Sequence, residues 1–173
     1  MNISVGLVEG CRVVNVELTG EFVDANRKRF KPGRYSFDTP VVLTPVNPAA
    51  CSFAIDDVTI GIGFHWERKE RQVFRGGLRV VRREGLTIVN DVPLEEYVLS
   101  VISSEMSASC PLELLKAHAV ISRSWLWHPH TSTGQNGAGN SSVVKDAEII
   151  RWYGREAHRD FDVCADDHCQ RYQ

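Results

Sequence analysis

Asn90-Asp91-Val92-Pro93-Leu94-Glu95-Glu96-Tyr97-Val98-Leu99-Ser100-Val101-Ile102-Ser103-Ser104-Glu105-Met106 is where the chain changes character. Upstream, from Ile3 to Val89, short apolar runs rich in β-branched residues alternate with turn formers, the pattern of strands and hairpins. The clearest runs are Val13–Val16, Tyr35–Phe37, Val41–Leu43, Val58–Ile62 and Leu86–Val89, with Lys31-Pro32-Gly33, Thr44-Pro45 and Arg75-Gly76-Gly77 as breakers between them. After Asn90-Asp91 the period becomes helical. Pro93 suits a first helical turn, Asp91 can cap it, and Glu95 and Glu96 favour the positive end of the helix dipole. The fold class is therefore α+β, a β-rich half over 1–91 packed against a helical and metal-binding part over 92–173.

Leu94, Tyr97, Val98, Val101 and Ile102 recur at the spacing of one buried stripe, and Glu105 falls on the same face. A carboxyl partly desolvated there, close to the negative end of the helix dipole, resists ionising and can hold a proton near neutral pH. Cleavage of a glycosidic bond needs such an acid, because the leaving oxygen must be protonated. Periodicity leaves the other reading open, in which Glu105 only ends the helix at a solvated last turn.

A second helix follows the break at Ser107–Cys110. Pro111 opens it, Glu113 stands in its first turn, and Leu112, Leu115, Ala119 and Ser122 make one stripe that Leu114, Ala117, Ile121 and Trp125 widen, so it reads as mostly buried. Lys116, His118 and Arg123 are its polar positions. The planar fork of Arg123 suits a substrate oxygen or a carboxylate, and a structural salt bridge suits it equally.

The composition sets bounds on what else the chain can be. Its 173 residues, 43% of them apolar, can build a real core, and a net charge of -2 with a pI near 6.3 argues against a nucleic-acid partner. The cluster Arg79, Arg82, Arg83 reads as a solvated strand face. No apolar run approaches the roughly 20 residues that span a bilayer, and the start lacks the features of a signal peptide, so the chain reads as soluble, as would one whose leader had been removed. Five cysteines, an odd number, exclude a complete internal disulfide framework.

Thr131–Ser142 is Gly/Ser/Asn-rich and reads as an exposed loop, and Asp146–Arg155 reads as a short amphipathic helix. His128 and His130 read as loop residues. In the tail, His158, Cys164, His168 and Cys169 form a set of imidazoles and thiols that suits structural, tetrahedral Zn2+. A Cys164–Cys169 disulfide and free thiols beside surface histidines are the alternatives. Four protein ligands leave no open position for a catalytic zinc.

Asn90–Tyr97, Ser104-Glu105-Met106, Pro111–Arg123 and the closing Cys169-Gln170-Arg171-Tyr172 together resemble the signature of the stage II sporulation protein D and amidase-enhancer family, over roughly the second half of the chain. The resemblance implies a peptidoglycan lytic transglycosylase. Such an enzyme cleaves the bond between N-acetylmuramic acid and N-acetylglucosamine in glycan strands stripped of stem peptides, leaving a 1,6-anhydro product. Glu105 matches the family's acid and Arg123 its essential arginine, and Lys116 and His118 are the substrate contacts expected beside them. One carboxyl suffices, because the substrate's own hydroxyl attacks in place of water. Some relatives bind zinc through a tail cluster like this one.

His118 departs from the family's glutamine, and Cys110 stands where an aromatic residue or glycine is usual. Family members continue beyond the Cys-Gln-x-Tyr stretch, so the expectation is a domain truncated at its C-terminus. The resemblance also implies an extracytoplasmic place in the cell envelope, with peptidoglycan glycan strands as partner. Two rival functions are a non-enzymatic amidase enhancer that binds peptidoglycan and stimulates a cell-wall amidase, and a purely structural envelope protein.

Overall fold

The structure, a computed structural model, describes residues 1–107, 109–131, 141–145, 148–152, 158, 160–166 and 168–173. Its elements in chain order are β1 (Asn2–Cys11), β2 (Val14–Thr19), β3 (Phe22–Asp24), β4 (Arg29–Phe30), β5 (Gly33–Phe37), β6 (Val41–Pro45), β7 (Ser52–Ile60), β8 (Arg68–Phe74), β9 (Gly77–Arg82), β10 (Leu86–Pro93), α1 (Leu94–Glu105), α2 (Leu112–Thr131), β11 (Ser141–Lys145), β12 (Glu148–Trp152) and β13 (Val163–Cys164). The α+β class follows directly. A seven-stranded sheet has the order β13-β1-β10-β9-β6-β3-β4, and a four-stranded sheet has the order β5-β2-β7-β8.

Alternation drives the strands. In β2, Val14, Val16 and Leu18 point inward while Asn15 and Thr19 face solvent. These residues meet Phe53 and Phe74 of the same sheet and Ile3, Val5, Leu78 and Ile88 of the larger one, so both sheets contribute to a single core. The expected strand runs fall on β2, β5, β6, β7 and β10, except that Val13 precedes β2 and Gly61 and Ile62 lie in the turn after β7. The charged Arg68–Phe74 also forms a strand, β8, because Gln72 and Phe74 turn inward against β7 while Arg71 reaches Asp56 and Glu17 at the surface.

The change of period at Asn90-Asp91 falls inside β10, which runs through Pro93 into α1 with no loop between them. Asp91 therefore does not cap the helix. It is still in the strand, where the Arg79 guanidinium takes both of its carboxylate oxygens at 3.0 and 3.1 Å, and Pro93 stands at the N-cap without a side-chain bond. Arg79, Arg82 and Arg83 likewise belong to a bonded surface. Arg79 also donates to the Asp160 carbonyl, Arg83 pairs with the Asp160 carboxylate at 2.6 Å, and Arg82 donates to the Asp38 carbonyl.

α1 buries Tyr97, Val98 and Val101, as its spacing predicts. α2 does not fit the expectation of a mostly buried helix. Leu112, Leu114, Val120 and Ile121 are exposed, while Leu115, His118, Ala119, Ser122, Trp125 and Leu126 are buried or partly buried. A helix packed along one face covers a single stripe, so of the residues expected to widen it Leu114, Ala117 and Ile121 stay outside while Trp125 packs against the core. The backbone of α2 continues through Pro129, which removes one helical N–H, so His128 and His130 lie on a helix and not in a loop. The Asp146–Arg155 helix is also overturned where the structure describes it. Glu148–Trp152 is a strand whose Ile149 and Ile150 stand opposite Val144 and Val143 of β11. β-Branched neighbours favour the extended form, and five residues are too few for their period to be decisive. Residues 146, 147 and 153–155 of that expected helix, and 132–140 of the expected loop, lie outside the described residues.

The tail returns to the start of the chain. Val163 and Cys164 pair in parallel with Val5 and Gly6, and the Asp162 carboxylate accepts from both the backbone N–H and the hydroxyl of Ser4. Phe161 packs so tightly over Gly6 that a Cβ there would stand 2.4 Å from its ring. Tyr172 then enters the core between Phe74 and Tyr97, with centroids 5.8 and 5.3 Å away and rings nearly parallel. Its hydroxyl donates to Oδ1 of the fully buried Asn90, whose Nδ2 holds the Arg75 and Gly77 carbonyls at 2.8 and 2.9 Å. Burial, with a smaller contribution from the Glu96 charge, pushes the phenol well above its ordinary pKa, so Tyr172 stays a neutral donor.

Tyr172→Phe keeps the ring stack and removes only that donor, leaving Asn90 Oδ1 buried without its partner. The expected loss is about 1–3 kcal/mol of unfolding free energy, read from urea titrations at pH 7. Tyr172→Ala also leaves a cavity and is expected to lose more, about 3–5 kcal/mol.

Candidate active site

Glu105 is the last residue of α1, and its side chain is 29% exposed, at the rim of the core rather than within it. The stripe that buries Val98 and Val101 carries it to that rim, where the helix ends at Met106. Two groups from distant parts of the chain fix the carboxyl. The backbone N–H of Arg171 donates to Oε1 at 3.1 Å, and Nε2 of His118 lies 2.8 Å from Oε2. His118 itself is only 11% exposed, and its Nδ1 has no partner among the described residues. Each carboxyl oxygen keeps one lone-pair direction for something outside the protein. The contact puts a carboxyl and an imidazole within hydrogen-bond reach of each other, a geometry that acid–base residues use.

His118, read as a substrate contact, is therefore drawn first to Glu105. The two other residues of the expected set stand apart from it. Lys116 pairs with Glu113 at 2.8 Å on an exposed helix surface. Arg123 donates to Glu95, at the start of α1, and its Nε has no partner among the described residues. Glu95 and Glu105 are ten residues apart, about 15 Å along a helix axis. A cavity of about 340 Å³ lies elsewhere, between β1, β7 and the tail, and neither Glu105 nor His118 lines it. Among the described residues Glu105 keeps 29% of its side chain exposed, so its carboxyl can be reached from solvent.

The tail cluster is assembled as the sequence suggests. One ligand atom from each of His158, Cys164, His168 and Cys169 lies within 4.8 Å of every other. His158 Nε2 stands 3.3 Å from Cys169 Sγ, and His168 Nδ1 stands 3.5 Å from Cys169 Sγ and 3.7 Å from Cys164 Sγ. Sulfur and nitrogen ligands of tetrahedral zinc stand about 3.5 Å apart. Both cysteines are free thiols in the structure. They share a proton: the Cys164 thiol is pushed up and that of Cys169 is lowered to about 4, in each case chiefly by the hydrogen bond between them, with His158 and His168 adding to the second.

Arg171 and Tyr172 stand in the closing motif, but nothing in the sequence marks the contacts they make with Glu105 and Asn90. A main-chain donor leaves no trace in residue type. The Arg171 guanidinium lies 4.5 Å over the ring of Trp66, which joins the loop after β7 to the same surface. Its signal was the aromatic pair in Gly61-Ile62-Gly63-Phe64-His65-Trp66, a turn segment with no core position to fill.

Among the described residues no helix is long and apolar enough to cross a membrane. Comparison with known proteins gives a family match to SpoIID, stage II sporulation protein, over residues 82–173, more than half of the chain. Stage II sporulation protein D of Bacillus subtilis is 36% identical over 69 residues, and that of Bacillus amyloliquefaciens is 32% identical over 65. These alignments cover 40% and 38% of this chain and 20% and 19% of the relatives, so the chain spans about a fifth of the proteins it matches. No solved structure matches.

Proposed function

The chain belongs to the SpoIID family of stage II sporulation proteins, which supports a sporulation-related role at the cell wall, and we propose that it acts as a peptidoglycan lytic transglycosylase with Glu105 as its acid and base. The observation that carries this reading is the Glu105 carboxyl, held on one oxygen by the Arg171 N–H and on the other by His118, with part of its side chain still exposed. In the proposed reaction Glu105 gives its proton to the glycosidic oxygen between N-acetylmuramic acid and N-acetylglucosamine as the bond from that oxygen to C1 breaks. Positive charge grows at C1 of the muramyl ring, and the ring's own 6-hydroxyl closes onto it. The proton of that hydroxyl returns to Glu105, which restores the acid and leaves a 1,6-anhydro end without net consumption of water.

The Arg171 N–H and His118 favour the carboxylate that exists between the two proton transfers. Arg123 of α2, which donates to Glu95 at the far end of α1 from Glu105, would hold a sugar or lactyl oxygen of a bound strand and not the leaving oxygen. An extracytoplasmic location and denuded glycan strands as substrate belong to the same proposal.

The donor set of the tail fits zinc in kind, number and spacing. His158, Cys164, His168 and Cys169 would hold it, and it would supply a structural cross-link between residue 158 and the 164–169 turn. Cys169 leads within three residues to Tyr172 and passes through Arg171, so a fixed tail also fixes the donor on Glu105.

Glu105→Gln keeps the shape and one acceptor but cannot hold the proton. It is expected to lower the formation of 1,6-anhydromuramyl ends from denuded strands on the order of 10²–10⁴-fold, measured by mass spectrometry of the products. Equal product from both proteins would remove Glu105 from the chemistry. Strand binding without product from either would place the chain with the non-enzymatic amidase enhancers.

Zinc affinity should rise with pH. Near neutrality the metal-free site holds a Cys169 thiolate and a Cys164 thiol, so the free state carries the proton that the bound state must release. One proton released corresponds to about tenfold tighter binding per pH unit between 7 and 8, read by competition with a chromophoric chelator. A flat profile would exclude Cys164 as a ligand.

A further inference from the structure

The loop between β7 and β8 is built to present an aromatic surface. Gly61 and Gly63 have φ of +69° and +80°, the Phe64 N–H donates to the Gly61 carbonyl, and the Glu67 carboxylate accepts from the Gly63 N–H at 2.8 Å. Only glycine fits at 61, because a Cβ there would stand 2.1 Å from the Trp66 indole. The indole thus lies directly on the backbone. Phe64 stacks with it at 5.3 Å and 16°, yet remains 50% exposed, with Ile62 beside it 61% exposed. A phenylalanine held in a fixed orientation by two turns, and still half in water, is not filling a core.

Its position relative to the candidate acid gives the loop a use. The Arg171 guanidinium lies over the Trp66 ring, and the backbone N–H of the same residue holds Glu105 Oε1. Phe64, Trp66, Arg171 and Glu105 therefore form a continuous series of contacts along one surface. Sugar rings carry faces of C–H groups bearing slight positive charge, and these lie favourably on the negative face of an aromatic ring. We propose that the Gly61–Glu67 loop is a saccharide platform continuing the Glu105 site, in which Phe64 receives the C–H face of a sugar in the glycan strand and Trp66 supports it. The proposal rests on the glycan reading above, but it concerns residues upstream of the part of the chain that the family match covers.

The test has a binding arm and a cleavage arm, both on denuded peptidoglycan strands. In the first, the Glu105→Gln protein and its Phe64→Ala and Phe64→Tyr derivatives are compared for strand binding by isothermal titration. In the second, the same Phe64 changes are made with Glu105 intact and KM and kcat are separated. Phe64→Ala is expected to weaken binding and raise KM by about tenfold with kcat within about twofold, and Phe64→Tyr, which keeps the ring, to restore both. A half-exposed side chain leaves the fold unchanged, checked by thermal unfolding.

Cleavage or strand binding that is indifferent to Phe64→Ala overturns the platform and leaves the transglycosylase standing. Phe64-dependent binding without any cleavage supports the platform and overturns the transglycosylase. Absence of both binding and cleavage in the Phe64-intact proteins overturns the two together.

Discussion

Tyr172 in the core is the constraint on which the rest of the molecule depends. Its ring is clamped between Phe74 of the smaller sheet and Tyr97 of α1, and its hydroxyl completes the bonding of Asn90 in the larger sheet. A single side chain thus touches β8, β10 and α1. Asn90 makes the contact specific. It is fully buried, so each of its polar atoms must find a partner, and the partners are two hairpin carbonyls and this one phenol. An apolar residue at 172 would fill the space and still leave a buried acceptor unanswered.

The position of the tail then decides the chemistry available at the end of α1. Arg171 precedes the anchor by one residue, and its N–H is aimed at Glu105 because Tyr172 cannot shift. Gln173 follows it and exchanges hydrogen bonds with Ser100, and Gln170 meets the Tyr97 hydroxyl, so each residue from 170 to 173 is bonded to α1 or to the strand before it. The helix delivers the carboxyl to the rim and the tail sets its orientation. Preorganisation of this kind would let a surface carboxyl serve the proposed reaction without the burial that the sequence pattern suggests.

How much of this could be read from the sequence follows from the range of each interaction. The helical stripe of α1, the strand runs of the first half and the cysteine–histidine set were legible because period and residue type encode them locally. The stripe also brought Glu105 to the correct end of its helix. Asp91 looked like a cap and became a strand residue because Arg79, twelve positions earlier, claimed its carboxylate. Glu148–Trp152 looked helical because branched and aromatic residues at short spacing satisfy either period, and only the pairing with Ser141–Lys145 separates them. The Arg171 donor and the Asn90–Tyr172 bond were beyond reach for a different reason. They join residues 66 and 82 positions apart, through groups whose residue types carry no sign of each other.

The tail could not hold this position by hydrophobic burial alone. Between His158 and Cys169 only Phe161 and Val163 among the described residues are buried apolar side chains, and fixing a backbone costs about 1–2 kcal/mol per residue. Parallel pairing with β1 supplies two registered positions, and the Asp162–Ser4 bonds supply a third tie. Four residues of metal-ligand type, two histidines and two cysteines, stand along that stretch, and one ion bound there would replace many side-chain contacts. The anchor at Tyr172 holds the far end, and a metal bound by the cluster would hold the turn that leads to it. Loosening either would free the Arg171 N–H before it disturbed α1 itself, so the orientation of Glu105 is the first property the molecule would lose.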